Sequence, residues 1–532
     1  MLNPVRGTRG IAAAPHALAS QSALAVMREG GNAIEAMIAA AATIAVVYPH
    51  MNSIGGDAFW LIRVPGQPMR GIDACGAAAG LASRDWYREQ SIVKSIPFRG
   101  GLAANTVAGT ISGWDAAFRF SQDSGGRLPL TRLLADAIDY ARQGAPVTRS
   151  QHLNTAGKRD ELHDVPGFSG LFMPDGNTPE IGSRFMQPAL AASLERMAQV
   201  GLDDFYRGEL ARTNAAALER AGSPVRLPDL QAHHATWRDP LWLAHSLGRV
   251  YNMPPPTQGA VSLMILGILD RLPLASMDPL GADFVHAAVE ATKQAFRIRD
   301  RHITDPAYMT VDPASFLQVE SLEAMRNAID PERAAPWGQG KGPADTIWMG
   351  TVDRNGIAVS FIQSLYHEFG SGVVLDGSGV TWQNRGCSFS LDPEALNTLE
   401  PGRKPFHTLN PAMAELSDGR VLVYGNMGGD GQPQSQSAVF SRIANFGMDP
   451  QAAISAPRWL LGRTWGRPSD SLKLESRFSD QVVKTLRQRG HELEVMGDFD
   501  EAMGHAQAIV LHPNGILEGG ADPRGDGVVA AF

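Results

Sequence analysis

The sequence predicts a chain of mixed α and β structure, and three observations carry that reading. Helical periodicities alternate with strand-like runs through the first 330 residues, a proline- and glycine-rich segment then interrupts the chain, and a hairpin pattern starts directly after it. Residues 20–29, followed by Gly30-Gly31-Asn32, form a helix closed by a glycine cap, and a second helix runs through the alanine-rich stretch to Pro49. Gly55-Gly56 then turns the chain into the apolar run 59–62, a buried strand. Residues 132–143, 187–200 and 283–299 have helical periodicity. Residues 330–343 are rich in proline, glycine and charge and are expected as an exposed linker. Residues 347–352 and 357–362 flank Asp353-Arg354-Asn355-Gly356, a hairpin with Asn-Gly at its turn.

Composition narrows the function classes. With 532 residues, 44% hydrophobic and 19% charged, the chain can bury a large core and is too apolar for a disordered one. Its 47 Lys+Arg against 55 Asp+Glu leave a net charge of −8, the wrong sign for a general polyanion binder, so no nucleic-acid partner is expected. The 56 glycines and 35 prolines follow no period, which excludes a collagen-like chain. Cys75 and Cys387, the only two cysteines, signal neither a disulfide framework nor a thiolate zinc site. The longest apolar run, residues 36–47, is 12 residues long. A bilayer span needs about 20, so a buried helix is expected and no membrane partner. The first twenty residues hold no sustained apolar stretch before a cleavage-type site, and a cytoplasmic protein is expected.

Standard catalytic motifs are missing. There is no GxSxG, GxxxxGK[ST] or HExxH. Gly342 stands where a phosphate loop would carry Ser or Thr, and Gly428-Gly429-Asp430-Gly431 lacks the last glycine of a dinucleotide fingerprint. His233-His234 and His302 have no partner at metal spacing, so neither a metal nor a cofactor is expected.

What remains is a threonine at the end of the linker and the start of a buried strand, Thr346, preceded by Asp345. A cut between the two would give Thr346 a free α-amine beside its hydroxyl, a nucleophile and its base in one residue. Such an amine has a reference pKa of about 7.7 to 8.0, so part of it is unprotonated near neutral pH.

Ordered motifs along the chain resemble the γ-glutamyltransferases, self-cleaving N-terminal nucleophile hydrolases. They are Gly30-Gly31-Asn32-Ala33, Pro49-His50-Met51, Ile54-Gly55-Gly56 and Asn105-Thr106-Val107-Ala108-Gly109, then the segment from Thr346 to Gly356, with Thr351 in place of the family's first valine. Phe369-Gly370-Ser371-Gly372, Pro401-Gly402-Arg403-Lys404-Pro405 and Gly428-Gly429 follow in family order. The resemblance implies an α+β fold, the four-layer αββα sandwich with two packed antiparallel sheets. It implies a large chain 1–345 and a small chain 346–532 that together form one composite fold, with homo-oligomers of such heterodimers open. It makes Thr346 the nucleophile, first for autocleavage after Asp345 and then for amide cleavage. Ser364 is implied as the hydroxyl that bonds the nucleophile, and Gly428 and Gly429 as the oxyanion hole.

The chain departs from the family where the glutamyl group is read. Cys75 stands at the position of the arginine that holds the substrate α-carboxylate, and a thiol cannot replace a guanidinium fork. The amine-binding Asp falls on Ser388, its neighbouring amide or acid on Arg385 beside Asn384, the strand asparagine on Tyr366, and paired serines on His407-Thr408. Arg385, Tyr366, Asn384, His407 and Thr408 are therefore the expected substrate-binding residues. An arginine near the nucleophile with no acid for an amine fits a short, anionic, amine-free amide. One branch of the family hydrolyses oxamate, the half-amide of oxalate, in purine nitrogen catabolism, and this chain is similar to it. Two alternatives stand beside that expectation. One is a γ-glutamyl transferase, glutathione hydrolase or cephalosporin-type acylase with a rebuilt pocket; the other is an uncleaved, non-catalytic binding protein.

Overall fold

The computed structural model describes residues 2–338, 345–462 and 469–532, with Asp345 described by its backbone. Residues 339–343 of the expected linker, with the Gly340-Lys341 pair, and Ala344 after them lie outside the described residues.

Among the described residues, two seven-stranded sheets form the centre of the molecule. The strands are β1 (Val5–Gly7), β2 (Gly10–Ala14), β3 (Asp57–Arg63), β4 (Arg70–Ala74), β5 (Thr236–Arg238), β6 (Leu241–His245) and β7 (Gly248–Asn252). Then come β8 (Asp345–Asp353), β9 (Ala358–Tyr366), β10 (Ala412–Leu416), β11 (Val421–Asn426), β12 (Ala506–Leu511), β13 (Leu517–Ala521) and β14 (Val528–Ala531). One sheet runs β14-β2-β8-β9-β3-β4-β5 and the other β1-β13-β12-β11-β10-β7-β6, antiparallel throughout. Each sheet takes strands from both sides of Thr346, so neither side could build its sheet alone.

The inner faces meet through a core that includes Phe59, Trp348 and Ile362 from one sheet and Met413, Val423 and Ile509 from the other. Helices α1 (Ala17–Arg28) and α2 (Ala33–Val47) cover the outer face of the first sheet. Helices α3 (Gly259–Leu269), α4 (Ala282–His302) and α5 (Gly431–Ala444) cover that of the second. The result is the four-layer αββα sandwich, in which the central strands of both sheets are removed from water and the edge strands remain partly exposed.

Local chemistry explains the elements the sequence predicts. Gly30, at φ 96°, ends α1, where its N–H reaches the Met27 carbonyl and that of Gly31 reaches Val26. Asn32 opens α2 through a capping box: its Oδ1 accepts the N–H groups of Ile34 and Glu35, and the Glu35 carboxylate accepts that of Asn32. Every residue of α2 is buried, as a twelve-residue apolar run requires. The helical periodicity at 132–143 is split, with Leu134 separating Leu130–Leu133 from Ala135–Gln143. Within the expected exposed linker, Asp330, Ala335 and Pro336 are bonded through their backbone to side chains of α4.

Candidate active site

The hairpin of β8 and β9 delivers Thr346. Its turn closes with Gly356 at φ 79°, and the buried Asp353 carboxylate pins it, accepting from Asn355 and Ile357 within the turn and from Ala33 at the start of α2. The ladder runs regularly from Val352↔Ala358 to Ile347↔Gln363 and then shifts register at Thr346. Such an irregularity re-aims a side chain out of the pleat. The buried Thr346 Oγ1 lies 3.4 Å from Ser364 Oγ and 3.5 Å from Gln432 Nε2. Ser364 Oγ is fixed in turn by the Tyr366 N–H at 2.8 Å.

Gly428 and Gly429 join β11 to α5 with φ of 122° and 52°, conformations open to glycine and strained for other residues. The Gly428 carbonyl accepts from Gly431 N–H at 2.7 Å and the Gly429 carbonyl from Gln258 Nε2 at 2.8 Å. Because C=O and N–H point oppositely across a peptide plane, holding the Gly428 carbonyl inside the turn sends the Gly429 N–H outward. The positive end of α5 lies beside it. Gln258 also holds the Thr408 carbonyl, at 2.7 Å, and so ties this turn to the substrate-side segment.

Tyr366, two residues after Ser364, and Asp430, next to Gly429, wall a cavity of about 730 Å³ with Arg385, Ser388 and Thr408; Thr346, Ser364, Gly428 and Gly429 themselves are not in its lining. Arg385 is buried; its Nη2 donates to the Phe406 carbonyl at 2.5 Å and its Nη1 reaches Thr408 Oγ1 at 3.4 Å. Its Nε has no acceptor among the described residues. Burial lowers the pKa of the guanidinium, partly offset by Asp57. Burial also pushes the Tyr366 phenol up to about 12, so it stays a neutral donor. Asp430 and Asp300 are both paired with Arg299, at 2.9 Å each, and the lining Glu161 pairs with Arg99 at 2.7 Å and Lys158 at 3.4 Å. The cavity therefore offers a buried cation to an anionic ligand.

The other expected residues take different places. His407 lies under the cavity and outside its lining, because alternation along the chain turns Phe406 and Thr408 toward the cavity and His407 into the core. Its ring stands on edge 5.0 Å from Phe59, its Nε2 is 3.5 Å from Asp57 Oδ2, and burial holds it neutral. Asn384 braces a wall instead, donating to the Phe98 carbonyl and accepting from His367 N–H. Cys75 is buried against Asp73 at 3.0 Å, a carboxylate held by Lys404 at 2.7 Å. Sequence reading missed Gln432, Gln258 and Asp57. Gln258 and Asp57 come from distant strand ends and helix starts, and nothing in their local sequence marks them. A second cavity of about 1060 Å³, walled by Phe185, Leu190 and Val374, holds none of the expected site residues. Among the described residues, His286, Glu290 and His491 form the one group with metal-ligand atoms within 4.8 Å of each other, and none of them lines either cavity.

Comparison with known proteins decides the family: the family model for gamma-glutamyltranspeptidase matches residues 19–532. The chain belongs to the γ-glutamyltranspeptidase family. It is 59% identical, over 99% of both chains, to the oxamate amidohydrolase proenzyme of Klebsiella pneumoniae. It is 39% identical, over the whole of both, to the glutathione hydrolase-like YwrD proenzyme of Bacillus subtilis. The solved cephalosporin acylase from Bacillus halodurans superposes with a TM-score of 0.92 at 33% identity, covering 100% of this chain and 97% of that one. The family member described here is therefore an N-terminal nucleophile amidohydrolase, and the binding-protein alternative is set aside.

Proposed function

We propose that this chain cuts itself before Thr346 and then hydrolyses a small anionic amide, oxamate foremost, to oxalate and ammonia. The observation that carries the substrate is Arg385, a buried cation with an unused Nε, in a cavity where, among the described residues, the lining acids Glu161, Asp300 and Asp430 are each paired with an arginine and leave no free partner for a substrate amine. The name of the Klebsiella relative supports the same choice.

In maturation the Thr346 hydroxyl adds to the Asp345 carbonyl, the C–N bond breaks to leave an ester and free the α-amine, and water then cleaves the ester to an Asp345 carboxylate and the Thr346 hydroxyl. In turnover that amine takes the Oγ1 proton as the oxygen attacks the substrate amide. The N–H groups of Gly428 and Gly429 face the oxyanion, and the proton passes to the leaving nitrogen as ammonia departs. Water then releases oxalate from Thr346 by the reverse proton path. Arg385 holds the carboxylate, with Tyr366 and Thr408 completing the reader. A cytoplasmic location and a role in purine nitrogen catabolism belong to this same reading.

One observation favours a second reading. A cavity of about 730 Å³ is far larger than a six-heavy-atom half-amide needs, which suits glutathione hydrolysis, γ-glutamyl transfer or acylase chemistry.

The test begins with intact mass and N-terminal sequencing beside Thr346→Ala. Two chains, the smaller starting at Thr346, with Thr346→Ala left whole, are expected. Ammonia release from oxamate is then compared with turnover of a γ-glutamyl anilide. Faster turnover of the anilide would overturn the oxamate assignment.

A further inference from the structure

Asp57 opens β3 directly after Gly55-Gly56 and is buried. Its two oxygens have different surroundings. Oδ1 accepts three hydrogen bonds, from the N–H groups of Gly76 and Gly109 at 3.0 Å each and from Gln383 Nε2 at 3.1 Å. Oδ2 accepts none among the described residues and faces His407 Nε2 at 3.5 Å. The imidazole is equally bare: neither ring nitrogen has a hydrogen-bond partner among the described residues. Its place is fixed instead by Phe59 and by its own backbone, which donates to the Pro256 carbonyl and accepts from the Gln258 N–H.

An ionised carboxylate only accepts, so it would leave Oδ2 charged and buried with no donor, which is costly. The protonated acid keeps Oδ1 as a carbonyl for all three donors and gives Oδ2 an O–H to aim at His407 Nε2. His407 is able to accept, because burial beside the cations of Arg385 and Lys404 holds its ring neutral.

The pair is tied to the cation of the cavity on both sides. Gln383 stands two residues before Arg385, and His407 stands between Phe406 and Thr408, the two residues that Arg385 reaches with its guanidinium. The other ionisable groups around Asp57 are balanced or uncharged: Lys404 is paired with Asp73 at 2.7 Å, and burial keeps the Cys75 thiol and the Tyr206 phenol neutral. Asp57 is a carboxylate whose charge reaches Arg385. Ionised, it balances the guanidinium and weakens its pull on a ligand; protonated, it leaves that charge unbalanced. A carboxylate bound to Arg385 repels the Asp57 charge in turn, so anion and proton favour each other's binding.

We propose that Asp57 is a proton site coupled to the carboxylate subsite: Oδ2 takes one proton from solvent when an anion binds Arg385 and returns it when the anion leaves, with His407 Nε2 orienting the O–H. Asp57 thereby tunes the subsite through Arg385, as a positioning residue. The inference rests on the reading that Arg385 holds the substrate carboxylate. Burial outweighs the three donors and pushes Asp57 up to about 7, which puts the exchange near neutral pH.

The probe is oxalate, a dianion near neutral pH, titrated calorimetrically into the purified full-length protein at about pH 8 in buffers of different ionisation enthalpy. Uptake of about one proton per oxalate is expected, with Kd rising about tenfold per pH unit above 7. Asp57→Asn keeps an acceptor for the three donors and cannot ionise, so uptake should vanish and Kd should lose its pH dependence. The infrared difference spectrum of wild type with and without oxalate gives a reading that needs no variant. It should gain the C=O band of a protonated carboxyl, which neither an imidazole nor an α-amine produces. Oxalate binding with no proton uptake and no such band would overturn the proposal and leave the Arg385 reading standing. Uptake undiminished in Asp57→Asn would assign the proton to another group and overturn it equally. Oxalate that fails to bind, or that binds Arg385→Lys as tightly as wild type, would overturn the Arg385 reading and the proposal with it.

Discussion

The Arg385 guanidinium carbon lies 3.6 Å from the ring centroid of Tyr366, and Tyr366 holds that position with φ at 85°, a backbone conformation rare for a residue with a side chain. Strain of this kind costs on the order of 1–3 kcal/mol and persists where its surroundings enforce it. Here the Tyr366 N–H is held by Ser364, the hydroxyl that meets Thr346, so one residue couples the nucleophile's partner to the cation's platform. On the proposed function, the group that reads the acyl portion and the group that attacks it meet at one strand end.

Arg385→Lys should lower kcat/KM for oxamate about a hundredfold, because an ammonium neither stacks flat on Tyr366 nor offers a fork to a carboxylate. Oxamide, which lacks the carboxylate, should be turned over equally by both proteins. Steady-state kinetics on the two amides check this, and an equal loss on both would remove Arg385 from substrate reading.

Gln432→Leu should lower kcat about tenfold with KM unchanged. Its Nε2 lies 3.5 Å from Oγ1 of Thr346, the nucleophile of the proposed reaction, and Gln432 is not in the cavity lining. Loss of one such bond is worth roughly 1.4 kcal/mol. A changed KM with intact kcat would contradict the assignment.

Gly428→Ala should mature slowly and lose about a hundredfold in kcat. The Cβ itself has room, its nearest neighbour being Gly504 Cα at 3.4 Å, but φ of 122° does not suit alanine. The turn must relax and take its N–H groups with it. Near-normal turnover would move the oxyanion site elsewhere.

Much of this was legible in the sequence, for identifiable reasons. The Asn-Gly turn sets the register of β8 against β9, and that register alone brings Thr346 opposite the end of β9 where Ser364 sits. The glycine cap and Asn32 likewise announce α1 and α2. The layering was supplied by the family resemblance and not by the local pattern, since adjacent strands such as β2 and β8 come from positions more than three hundred residues apart. That His407 lies outside the cavity lining has a local reason: residues 401–411 form no strand of either sheet, so no ladder marks which neighbour turns inward. Gln258 escaped notice because a glutamine in a loop carries no signal until the fold brings it to Gly429.

The pH dependence of stability should carry the signature of Asp57. Burial pushes its carboxyl up to about 7, against the N–H groups of Gly76, Gly109 and Gln383, which pull it down. Between the ordinary carboxyl pKa of about 4 and 7 the folded state therefore binds more protons than the unfolded chain, so stability falls as pH rises through that window and levels off above it. The shift corresponds to about 4 kcal/mol at most. Asp57→Asn removes this proton and leaves the other titrating groups in place, so the difference between wild-type and variant unfolding free energies should change between pH 4 and 7 and be flat above. Denaturant unfolding across that range measures it. A pH-independent difference would mean that the Asp57 carboxylate is ionised in the fold, leaving His407, at 3.5 Å, as the group facing its charge.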